Sequence, residues 1–123
     1  MLEKHILNKT LKKLEGYKLG GVVLWYRRQH SCLLYAKNGT PVMVGGKKDL
    51  DDGKDLDIVV AVNCGNGKIS LLFIDTKRTG VNKFDYEQQV FADSMEGKPM
   101  VLCGIINDVK QLWPLLKRAR ELS

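Results

Sequence analysis

The segment Leu71-Leu72-Phe73-Ile74-Asp75-Thr76-Lys77-Arg78-Thr79-Gly80 runs four apolar residues into an acid and a base two positions apart. Side chains alternate faces along an extended strand, so Asp75 and Lys77 project to one side and Ile74 and Thr76 to the other. A second acid, Asp57, opens the preceding apolar segment, 57–62. If the two segments pair as an antiparallel hairpin about a turn centred near Asn66, Asp57 and Asp75 oppose each other, with Cβ atoms about 4.5–5.5 Å apart. Two carboxylates so placed repel unless a proton or a cation sits between them. A hard divalent ion such as Mg²⁺ relieves that repulsion with oxygen ligands, and the backbone carbonyl of Thr76 is available as a third donor. Lys77 can then hold an anionic oxygen, or orient and help deprotonate a water for attack on a phosphodiester. The bland reading of the same residues is a cross-strand salt bridge, because Asp-x-Lys arises by chance in many chains.

Downstream, Asp85 is a helix cap and Gly97 a helix stop around 86–96. Helical periodicity there puts Val90, Phe91 and Met95 on the core face, Gln88 at its margin and Gln89 outside with Asp93 and Glu96. An inward glutamine is ordinarily a satisfied packing residue. Beside a metal site its amide can bind a water or a phosphate oxygen.

These groups need a scaffold. Leu7, Leu11 and Leu14 recur at i, i+4, i+7 with Gly16 just beyond, which predicts a helix over 2–15. Residues 21–28 and 32–37 read as a strand hairpin, 40–44 as a short edge strand, and the glycine- and charge-rich 45–55 as the main irregular loop. The strongest strands are 57–62 and 68–75, joined by Asn63-Cys64-Gly65-Asn66-Gly67. Residues 98–106 read as a central strand, followed by a helical turn and a helix restarting with Pro114 at its first position. The order α-β-β-(β)-β-β-α-β-α implies an α/β (α+β) domain over 1–123: one mixed sheet flanked by helices.

Composition narrows the function classes. The 123 residues suit one domain with a real core. Lys and Arg number 20 against 14 Asp and Glu, an excess of +6 that suits a polyanion or simply a solubilising surface. Cys32, Cys64 and Cys103 are far apart and match neither a disulfide framework nor a zinc site; Cys32 and Cys103 read as packing residues of a reducing compartment. No apolar run approaches the ~18 residues of a membrane span, so a cytoplasmic protein is expected. His5 and His30 flank no nucleophile, the acidic loop does not have the spacing of a calcium loop, and Gly65-Asn66-Gly67-Lys68 is not a phosphate-binding loop.

The order of the acids, the lysine and the following helix resembles the PD-(D/E)XK nuclease superfamily, in which an acid opens one strand and (D/E)-x-K closes the next. More narrowly, the chain looks like the small stand-alone VRR-NUC proteins of phages and bacteria, some of which are Holliday junction resolvases. Glu3 and Ile6 match an N-terminal E-x-x-I, 24–28 a strand ending in Trp and Arg, and Gln88 with Phe91 the S-x-x-Q-x-x-F pattern, with Asp85 in the serine's place. Asp75 stands where Glu is commoner, and Leu56 stands where proline precedes the first acid. Asp51, Asp52 and Asp55 are rival first acids; Asp57 is preferred for its position against Asp75.

The resemblance implies a restriction-endonuclease-like core and Mg²⁺- or Mn²⁺-dependent cleavage of DNA, in a homodimer acting on branched DNA. Asp57, Asp75, Lys77 and Gln88 are then the catalytic set, with Asp57, Asp75 and the Thr76 carbonyl as metal ligands and Glu3 as an accessory carboxylate. Arg27, Arg28, Lys47, Lys48, Lys54, Arg78 and Lys83 are the basic residues nearest that site, and phosphate contacts from them position DNA without reading sequence. Two alternatives stay open: a module on the same fold that binds DNA or a protein without cutting, and a general repair nuclease without junction preference.

Overall fold

The computed structural model describes residues 1–28, 32–35, 41–44 and 56–122, with backbone only for 32–35 and 41–44. The protein is a mixed α+β domain whose four-stranded mixed sheet is flanked by helices. The elements run α1 (Glu3–Leu19), β1 (Val23–Arg28), β2 (Cys32–Tyr35), β3 (Pro41–Val44), β4 (Ile58–Gly65), β5 (Lys68–Thr76), α2 (Tyr86–Met95), β6 (Val101–Ile106), a 3₁₀ turn (Val109–Gln111) and α3 (Leu112–Arg120). Among the described residues no helix is long and apolar enough to cross a membrane.

The main sheet has the order β1-β4-β5-β6, with β1 and β5 antiparallel to β4 and β6 parallel to β5. Ile58 pairs with Ile74, Val59 with Phe73 and Val60 with Leu72, so β4 and β5 keep the register expected from the sequence. Asn66 (φ 54°) and Gly67 (φ 75°) make the connection, in the left-handed region where a two-residue hairpin turn places its central residues. The turn is shorter than the five residues expected, because β4 runs on to Gly65 through a bulge after Asn63.

Alternation along the strands builds two unlike faces. Val60, Val62, Leu72 and Ile74 point into the core shared with Ile6 and Leu14 of α1 and Leu112 and Leu116 of α3. On the other face Phe73 meets Phe91 of α2 edge-on, with ring centroids 5.2 Å apart. Asp75, two residues on from Phe73, therefore faces the start of α2.

Four expectations change. Helix α1 runs past Gly16 to Leu19, since Tyr17 packs against the core and rewards another turn. Strand β1 pairs with β4 and β2 with β3, in place of a hairpin between β1 and β2, and β2-β3 form a separate two-stranded sheet. Strand β6 lies at an edge; its apolar composition reflects helices on both faces rather than strands on both sides. Helix α3 begins at Leu112, so Pro114 is its third residue, where the helix has no N–H partner to lose. The charged loop 45–55, with Lys47, Lys48, Lys54, Asp51, Asp52 and Asp55, lies outside the described residues.

Candidate active site

The open end of the β4-β5 hairpin gathers the polar residues singled out from the sequence. Asp57 directly precedes β4 and is anchored by Leu56, which is fully buried. Asp75, one residue short of the end of β5, is also fully buried. Its Oδ1 accepts a 2.8 Å hydrogen bond from Gln88 Nε2. Its Oδ2 lies 3.0 Å from Lys77 Nζ, an ion pair, yet no hydrogen bond is directed at that oxygen.

Gln88 is the hub. Its Oε1 accepts from Lys77 Nζ at 2.8 Å and from the Asp85 backbone N–H at 3.0 Å. The Gln88 N–H in turn donates to Asp85 Oδ1 at 2.9 Å. This reciprocal pair is a capping box that starts α2. One amide thus caps the helix, orients the lysine and donates to the buried acid. It is only 5% exposed, at the centre of the buried face and not at its margin, whereas Val90 and Met95 are half-buried.

Asp57 behaves differently from its partner. Its Oδ2 accepts from the Thr76 N–H at 3.0 Å and the Thr76 hydroxyl at 2.8 Å. Strict alternation keeps Thr76 away from the acids, but Asp57 stands just before the first ladder residue, where the pleat no longer dictates its side-chain direction. The Thr76 hydroxyl was missed by sequence reasoning, which considered only its carbonyl. The expected Asp85 cap already put Gln88 in the first turn of α2; the reciprocal bonds of the capping box are what the structure adds.

Electrostatics follow from this burial. Desolvation, reinforced by the charge of Asp57, pushes the Asp75 carboxyl up to about 7 against the pull of Lys77. Burial opposes the charge on Lys77, but the close ion pair with Asp75, with help from the charges of Asp85 and Glu3, outweighs it and raises its pKa. Glu3 itself is exposed, in the first turn of α1. The Thr79 N–H donates to the Met1 carbonyl at 3.1 Å, which brings the start of α1 beside the segment that follows Lys77.

The arrangement suits a hard cation. Its donors are carboxylate oxygens, and a buried carboxylate oxygen without a directed hydrogen bond is what such an ion satisfies. Among the described residues no cluster of three or more His, Cys, Asp or Glu forms. Water and phosphate oxygens would complete a Mg²⁺ shell.

The basic candidates divide. Arg28 pairs with Ile58, one residue from Asp57, and Arg27 with Val59; both side chains are exposed. Arg78 and Lys83 are exposed on the connection between β5 and α2. No family model, curated protein or solved structure significantly matches the chain.

Proposed function

We propose that the chain is a Mg²⁺- or Mn²⁺-dependent endodeoxyribonuclease with a restriction-endonuclease-like core, of the VRR-NUC type its motifs resemble. It acts in the cytoplasm, as a homodimer, on branched DNA such as four-way junctions. The observation that carries this reading is Asp75: a fully buried carboxylate, facing Lys77 with an oxygen that receives no directed hydrogen bond, and raised in pKa by burial and Asp57. A buried acid held this way is costly as decoration and useful as a ligand.

Asp57 and Asp75 would hold the cation, which when bound supplies Lewis acidity toward a phosphodiester oxygen. Lys77, kept charged by its acidic neighbours, places an ammonium where negative charge grows on the phosphorus-bound oxygens. Gln88 positions that ammonium through its 2.8 Å hydrogen bond. Exposed Arg27, Arg28, Arg78 and Lys83 would hold flanking phosphates.

The test incubates wild type and Asp75→Ala with linear duplex, single-stranded, flap and four-way-junction DNA, with Mg²⁺, with Mn²⁺ and with EDTA. Metal-dependent cleavage by wild type alone supports the proposal, and equal cleavage of all branched and linear forms would make it a general repair nuclease. Binding without cleavage of any substrate under either metal would instead make it a binding module and end the enzyme reading.

A further inference from the structure

The helical layer on the far side of the sheet from Asp75 carries a second basic surface. Lys9, Lys12, Lys13 and Gly16 of α1 follow the i, i+3, i+4, i+7 spacing of one helix face, and they line a shallow depression with Val109. A neighbouring depression joins Lys13 and Tyr17 to Lys110 and Trp113. A third joins Trp113 to Lys117 and Arg120, again on one helical stripe, with Glu121 the single acid among its described lining residues. Shared Lys13, Val109 and Trp113 make the three a continuous band along α1 and α3. None of its cations belongs to the set around the candidate active site.

The aromatic pair in mid-band distinguishes it from an ordinary solvated face. Trp113 is 41% exposed, and its ring lies parallel to that of Tyr17, with centroids 5.6 Å apart and planes 15° from parallel. Tyr17 packs against the core and so holds the indole in place. A fixed, partly exposed aromatic ring with cations on both sides is the arrangement by which single strands are held: bases stack on the ring, and the phosphates run along the positive track.

We propose that the band formed by α1, the 3₁₀ turn and α3 binds a single-stranded nucleic acid segment, with phosphates on Lys9, Lys12, Lys13, Lys110, Lys117 and Arg120 and a base stacked on Trp113. The band lies on the opposite side of the sheet from Asp75, so it engages a different part of the polymer from any strand at the candidate active site. Its binding does not depend on cleavage or on a metal, and the inference stands apart from the nuclease reading.

The test measures fluorescence anisotropy of a labelled oligonucleotide of about 16 nucleotides, within the usual single-strand site size, in EDTA over a salt series. Three variants are compared with wild type: Lys12→Glu/Lys117→Glu, the equal-charge control Lys68→Glu/Lys98→Glu, and Trp113→Phe. Thermal melts confirm that each is folded. Reversal within the band is expected to weaken binding by about tenfold or more and to flatten the salt dependence, by a slope of roughly one per lost phosphate contact. The control should stay within about twofold, which marks a contact-specific rather than a net-charge effect. Trp113→Phe, which keeps a ring, should bind more weakly than wild type with an unchanged salt slope. Equal loss in the band and control variants, or no binding by wild type, would overturn the proposal. Binding to vesicles of anionic phosphatidylglycerol without binding to the oligonucleotide would overturn it in favour of a membrane surface.

Discussion

The two ends of the β4-β5 hairpin are built from the same register and put to opposite uses. At the closed end Asn66 and Gly67 take positive φ, every neighbour is exposed, and the backbone geometry is eased by residue type. At the open end the residues are buried, the geometry is ordinary, and the strain is electrostatic: Asp75 sits fully buried with Asp57 close enough to raise its pKa. The turn sets the pairing, and the pairing brings the residues around both acids together about nine residues up each strand from Asn66. Stability is gained at one end, and a buried acid with a raised pKa is held at the other.

The largest contrast should come from the open end. Lys77→Met, which keeps bulk and removes charge, is expected to lower metal-dependent cleavage by about a thousandfold, the scale of removing one oxyanion-stabilising group, while the protein stays folded. Single-turnover kinetics on the best DNA substrate would check this.

Next is pH. The buried Asp75 holds its proton up to about 7 in place of the ordinary 3.8. Between those values the native state binds more protons than the unfolded chain, so the stability of the metal-free protein must fall as pH rises, and it is fully present only below the lower value. One such group accounts for a slope of at most about 1.4 kcal/mol per pH unit. Urea denaturation from pH 4 to pH 8 should show this decline in wild type and a flatter profile in Asp75→Asn.

Gln88→Ala removes the donor to Asp75 and the acceptor of both Lys77 and the Asp85 N–H. Leaving those groups unpaired should cost about 2–3 kcal/mol in urea denaturation, the upper part of the roughly 1–3 kcal/mol range for orphaned buried polar groups. Gly67→Ala at the closed end should cost less, about 1–2 kcal/mol, because a Cβ at φ 75° meets only its own backbone. It should leave the pH profile unchanged. If Gly67→Ala instead abolished the pH dependence, the two ends would not be separable as described.

How much was legible depended on the range of the interaction. The apolar, strand-forming runs 58–62 and 69–74 and the Asn66-Gly67 pair are local signals, and they gave the register that pairs Ile58 with Ile74, next to both acids. The Asp85 cap and the inward turn of Gln88 were legible for the same reason. The edge position of β6 was not, because helices covering both faces of an edge strand demand the same apolar composition as a central position. Nor was the length of α1, where one tertiary contact of Tyr17 outweighed the stop signal of Gly16. Gly104 carried no readable signal either: a Cβ there would lie 2.6 Å from the Leu115 side chain, a closeness between β6 and α3 set by packing alone.

Residue order was enough to specify the strands, the turn between β4 and β5 and the set of polar groups at its open end, since these follow from side-chain periodicity and backbone preference within short segments. Only the folded chain decided which of those groups touch. Gln88 became the link among Asp75, Lys77 and Asp85 because α2 docks with its first turn against the end of β5. Asp57 turned to Thr76 because it lies beyond the ladder. The lysines of α1 and α3 formed one band because both helices pack side by side on the same core. Local preferences act over a few residues, whereas burial, desolvation and charge coupling depend on which distant segments the core brings within a few ångströms.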